Sequence, residues 1–98
     1  MKVVFEPPAR VELEDIHAWI AEINPRAADE LVARIEGKVM RLATPALAHM
    51  GRPGLVEGTR ELLEFPYIIV YEVREASDEV AILSVFHGAR DRAKAEDE

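Results

Sequence analysis

The sequence predicts an α+β domain of two layers in the order β-α-α-β-β-β, an antiparallel helix hairpin packed on a mainly antiparallel four-stranded sheet. Three observations predict it. Apolar residues recur at helical spacing in two runs between residues 9 and 42, three β-branched and aromatic runs follow, and the connections between neighbouring runs are mostly short. A chain of 98 residues, 49% of them hydrophobic, has room for one modest core. The expected division is a single domain over residues 1–90 and a charged tail over 91–98.

Lys2–Glu6 reads as the first strand, stopped by Pro7-Pro8. Proline suits a helix start because the first turn leaves its N–H groups unpaired in any case. Ala9, Leu13, Ile16, Ile20 and Ile23 then recur at helical spacing, with Glu12, Glu14 and Asp15 toward the end where the macrodipole favours acid. Asn24-Pro25 breaks this helix and opens the next, Asn24 as cap and Pro25 as first helical residue. Ala28, Leu31, Ile35 and Leu42 mark the second stripe, widened by Val32 and Val39. Thr44–Gly58, with five Gly or Pro residues, reads as a loop. Thr59–Phe65, Tyr67–Arg74 and Glu79–Phe86 follow as a meander, split by Pro66 and by the polar turn 75–78. Both faces of the last run are apolar, as in a central strand, and one face of the sheet must take the helices.

The formal charge of −7 argues against broad binding to nucleic acid or anionic membrane, and no direct sequence-specific DNA binding is expected. No apolar run approaches the ~20 residues of a membrane span. The absence of cysteine removes disulfide and thiolate chemistry, and a cytoplasmic location is expected. The charge is uneven: residues 34–60 carry Arg34, Lys38, Arg41, Arg52 and Arg60 against only Glu36 and Glu57. Such a local basic zone either meets an anionic target or decorates a solvated helix face.

Phosphate loops, nucleophile elbows and metal-spaced histidine pairs are absent, so neither cofactor nor metal is expected. His17 and His49 read as surface residues. Trp19 reads as core or groove packing. His87 stands where the last strand releases the chain, ahead of Gly88 and Arg90, a position from which a histidine can shuttle protons or meet a partner. Arg60, at the opening of the second strand, is placed to reach the same end of the sheet or to pair with Glu61 or Glu64. Gly88 would let the chain turn sharply off the sheet. Residues alone name no function.

A resemblance does. Phe5-Glu6-Pro7-Pro8-Ala9, Leu13-Glu14-Asp15-Ile16, Trp19-Ile20, Asn24-Pro25-Arg26-Ala27-Ala28, Leu42 with Pro45, and Met50-Gly51-Arg52-Pro53-Gly54 are pieces of one pattern. Gly58-Thr59-Arg60-Glu61-Leu62, Pro66–Val73 and Val80–Arg90 complete it. In this order and spacing the chain resembles the RelE/ParE toxin superfamily over nearly its whole length, and the Gly-Thr-Arg-Glu-Leu and His-Gly-Ala-Arg pieces are closer to the ParE side. The resemblance implies a bacterial toxin silenced by a cognate antitoxin. Two targets are implied by the two branches: DNA gyrase, poisoned by protein contact, or messenger RNA cleaved on the ribosome without metal. An inactive member that only binds its antitoxin is the third possibility. For a nuclease, Arg60, Tyr71, His87 and Arg90 would be drafted as base, cations and acid; for gyrase, Arg52, Arg60, His87 and Arg90 would meet the target. The charge of −7 and the missing lysine- and arginine-dense surface favour gyrase.

Overall fold

A computed structural model describes residues 1–89 of the chain; the expected tail and Arg90 lie outside the described residues. Strand β1 is Lys2–Phe5, helix α1 Pro7–Ala21 and helix α2 Pro25–Met40. Two short 3-10 turns, Arg41–Ala43 and Pro45–Leu47, lead to β2, Arg52–Pro53. Strands β3 (Arg60–Glu64), β4 (Tyr67–Arg74) and β5 (Glu79–His87) follow. The sheet order is β1-β5-β4-β3-β2, with β1 parallel to β5 and every other pair antiparallel.

The predicted architecture holds with one strand more than expected. β2 lies inside the predicted loop and pairs only with β3, Arg52 opposite Glu61 and Pro53 opposite Arg60. Proline is tolerated there because the strand sits at the sheet edge. Two residues carry no periodicity, so sequence pattern had nothing to register. β5 also extends one residue past Phe86, and His87 pairs with Tyr67 within the sheet.

The helix break forms as its chemistry dictates: Asn24 accepts a hydrogen bond from the Ala27 N–H at 3.0 Å, and Pro25 opens α2. Ala28, Leu31, Ile35, Val39 and Leu42 are all buried, the last four in the core shared with the sheet. On α1 the stripe is shorter than predicted. Ala9 and Leu13 are buried, Ile16 and Ile20 pack at the core margin, and Ile23 lies beyond the helix at 90% exposure.

The acids of α1 depart from their predicted role, since none stands in the first turn. Glu12 reaches the sheet instead. Between Val70 and Tyr71 of β4 the pairing slips by one residue, leaving Leu83 of β5 as an extra residue. A bulge of this kind turns the following side chains over. Val80 and Ile82 before it and Val85 after it therefore share the helix-facing core with Tyr67, Ile69 and Tyr71. Glu12 Oε1 accepts from the Val85 N–H at 3.3 Å, and its Oε2 accepts from Ser84 Oγ at 3.2 Å. The α1 carboxylate thus fastens the bulged stretch that leads to His87.

Candidate functional site

Register decides which predicted residues meet. Arg60 pairs with Tyr71 across β3 and β4, and Tyr71 pairs in turn with Ile82. Glu64 pairs with Tyr67, and Tyr67 with His87. The two rows are four residues apart along β4, about 13 Å at the rise of an extended strand. Arg60 therefore stands at the opposite end of β3 from the row that holds His87. The expectation that the two emerge together is corrected.

At the Arg60 end, polar groups are consumed within the fold. Arg60 Nη1 donates to the Gly51 carbonyl at 2.7 Å, and the Gly51 N–H donates to the Tyr71 hydroxyl at 2.9 Å. Tyr71 has no exposed surface, and burial pushes its phenol above the ordinary range, against the lowering by the Gly51 bond and the Arg60 charge. Gly51 is required here for space. A Cβ would lie 2.6 Å from the Glu61 carbonyl oxygen and 2.8 Å from the Tyr71 hydroxyl. Tyr71, drafted from the sequence as a nuclease residue, is a buried strut with no face to offer a substrate.

Much of the basic zone is answered by acids of β3. Arg34 and Lys38 of α2 both reach Glu64, at 3.1 and 3.4 Å, and Lys38 also donates to the Leu63 carbonyl. Glu61 is only 3% exposed and pairs with the half-exposed Arg52 at 3.1 Å. The two remaining histidines are surface residues, as expected. His17 bridges the two helices through Asp29 at 2.7 Å, and His49 lies 3.8 Å from Glu75.

The His87 end is built differently. His87 packs edge-on against Tyr67, ring centroids 5.6 Å apart. Three clefts meet around it. One, of about 360 Å³, runs between α1 and β5 and is lined by Glu12, Asp15, Ile16, Trp19, Tyr67 and His87, among others. A second, of about 370 Å³, lies between the helix hairpin and the β3–β4 turn, with Trp19, Leu31, Arg34, Phe65 and Tyr67 in its walls. The third opens on the other side of the turn and includes Arg52, Leu63, Phe65, Ile68, His87 and Gly88. Between them stand Trp19 and Phe65, 61% and 83% exposed. Large aromatic side chains grouped on one exposed surface are a common mark of a protein–protein contact.

Gly88 closes this end, and its role differs from the predicted one. Its φ is not positive; among the described glycines only Gly58 has a left-handed backbone. The constraint is space again, since a Cβ at Gly88 would approach Ile68 Cδ1 to 2.8 Å, while its N–H donates to the Pro66 carbonyl at 2.8 Å. Phe65, Asp15 and Glu12 were not singled out as site residues from the sequence. A signal for Phe65 was present: an aromatic directly before a proline, between two strands, must fall in the turn, where no core can cover it.

No helix among the described residues is long and apolar enough to cross a membrane, and no group of three or more metal-ligating side chains is found among them. The model of the ParE toxin family of type II toxin–antitoxin systems matches residues 3–92. The chain belongs to the ParE toxin family. A provisionally named toxin of Sinorhizobium fredii, Y4kP, is 45% identical over 78 residues, which is 76% of this chain and 75% of that protein. Among solved structures, the chain is similar to one from the chromosomal ParDE system of P. aeruginosa, with a TM-score of 0.77 and 29% identity, covering 89% of this chain and 95% of that one. It is similar also to one from the toxin–antitoxin complex RelBE2 of Mycobacterium tuberculosis, with a TM-score of 0.60 and 25% identity over 88% and 95% of the two chains. The chain is thus a type II toxin of the RelE/ParE superfamily on its ParE side, as the resemblance implied.

Proposed function

We infer that this toxin arrests growth as a protein ligand of DNA gyrase, in the bacterial cytoplasm, and is silenced there by a cognate antitoxin. The observation that carries the choice of target is the separation of Arg60 and Tyr71 from His87. Metal-free RNA cleavage needs a base, an acid and cations gathered about one phosphate. Here the phenol is buried, one guanidinium is bound to the Gly51 carbonyl, and the imidazole stands in a row four residues away along β4. A protein ligand needs none of this convergence. It needs apolar anchors open to a partner, and the exposed Trp19 and Phe65 supply them.

In this reading Arg52 and His87, beside Phe65, meet the target, joined by Arg90 on the strength of the sequence; Arg60 belongs to the frame. The antitoxin occupies the two clefts on the helix side. Support for such a partner comes from the relatives, one from a ParDE system and one from a toxin–antitoxin complex. Phe65 and His87 line clefts on both sides of the β3–β4 turn, so an antitoxin seated on them displaces the target directly.

Purified chain is expected to inhibit supercoiling by gyrase and to accumulate cleaved DNA–gyrase complexes, and to leave message intact in a translation extract. Codon-dependent cleavage in that extract, lost in His87→Ala or Arg60→Ala, would reverse the choice of target.

A further inference from the structure

The two helix-side clefts flank the same aromatic ridge, yet their charges differ in sign. Glu12 and Asp15 line the cleft between α1 and β5, with no arginine or lysine among the described residues of its walls. Asp15 is exposed and forms no ion pair among the described residues. Arg34 lines the other cleft. Its partner Glu64 is shared with Lys38, so two cations face one carboxylate and a positive excess remains. Between the acidic and the basic side stands Trp19, which lines both clefts, with Phe65 on the basic flank. The groove is therefore polar along its length, within a chain whose overall charge is −7.

We propose that this groove reads the charge order of the polypeptide segment it binds: a large apolar side chain on the Trp19–Phe65 ridge, a lysine or arginine on the Asp15 side, and an aspartate or glutamate on the Arg34 side. The proposal rests on the antitoxin reading above and specifies the segment by which an antitoxin holds this toxin. The ridge supplies most of the affinity, because desolvated aromatic anchors dominate interface energies. The flanking charges choose orientation and partner, since a segment laid in the opposite direction sets like charges side by side. Net charge alone does not give this result. A chain at −7 attracts any basic segment, whereas Arg34 rejects one at the second cleft.

The test measures the affinity of the purified protein encoded beside this chain for the wild-type toxin and for Asp15→Lys, Arg34→Glu and Glu57→Lys. Glu57 is an exposed acid lining none of these clefts, and its substitution changes overall charge as much as Asp15→Lys does. Asp15→Lys and Arg34→Glu are each expected to weaken binding about five- to tenfold at low ionic strength, and the loss should shrink in high salt. Glu57→Lys should change affinity less than about twofold. Thermal unfolding confirms that each variant is folded, and Arg34→Gln, which also removes the Glu64 pair but sets no second acid beside it, replaces Arg34→Glu should the latter fail to fold. If Asp15→Lys and Glu57→Lys weaken binding equally, overall charge is responsible and the charge order is overturned. If tight binding survives all three unchanged, the groove polarity is overturned while the antitoxin reading stands. If the wild-type chain does not bind the neighbouring product, both fall together.

Discussion

The two ends of the β3–β4 hairpin are made of the same strands and serve opposite purposes. At the Arg60–Tyr71 end, donors and acceptors close on one another through Gly51, and the central phenol has no exposed surface. At the Tyr67–His87 end, the turn offers Phe65 to solvent beside Trp19, and clefts open on both sides of the sheet. The first end holds residues 41–59 to the sheet; the second is available to partners. The difference teaches that a charged or aromatic residue on a toxin strand is not a site residue by type. Its row along the strand decides.

Stability measurements break this comparison if they fail to separate the two ends. The largest effect is expected for Tyr71→Ala, which empties a fully buried aromatic position and should cost about 3–5 kcal/mol, read as a fall in the urea midpoint. Gly51→Ala should follow at about 1–3 kcal/mol, because the added methyl must displace backbone and the Tyr71 hydroxyl rather than a flexible side chain. Tyr71→Phe keeps the packing and leaves the Gly51 N–H without its acceptor, at about 1–2 kcal/mol. The same variant sharpens the comparison through pH. A phenol whose folded pKa lies above the ordinary 10.0 keeps its proton in the native state after the unfolded chain has lost it. Its contribution is fully present below pH 10 and is lost as pH rises through the folded value. The thermal midpoint of the wild type should therefore drop above pH 10, and Tyr71→Phe should flatten that part of the drop. The smallest effect on stability is expected from Phe65→Ala, within about 1 kcal/mol, because little of that side chain is buried on folding. Its binding to the antitoxin should nevertheless weaken by about 2 kcal/mol or more, as for an interface anchor.

Much of the fold was legible because local chemistry and packing agreed. Asn24-Pro25 could hardly be anything but a helix break, and the stripe from Ala28 to Leu42 had a single face to bury. Four of the five strands followed from β-branched runs punctuated by Pro66 and the 75–78 turn. The predicted meander runs its first and third strands in the same direction, so the separation of Arg60 from His87 was already implied, and the register gives its extent. What escaped was relational. The Leu83 bulge inverts the facing of Val85 and His87 relative to strict alternation, so a period-two reading puts them on the wrong side. Glu12 looked like a dipole-stabilising acid, because nothing in α1 alone reveals that Ser84 and Val85 lie opposite it.

The most direct test of the account compares gyrase supercoiling in the presence of the wild-type chain, Phe65→Ala and Tyr71→Phe at a temperature where all three are folded. If the exposed end is the working surface and the buried end a frame, Phe65→Ala should need at least about tenfold more protein for the same inhibition, and Tyr71→Phe should match the wild type. Full inhibition by Phe65→Ala together with its loss in a folded Tyr71→Phe would contradict the account and move the functional surface to the Arg60 end.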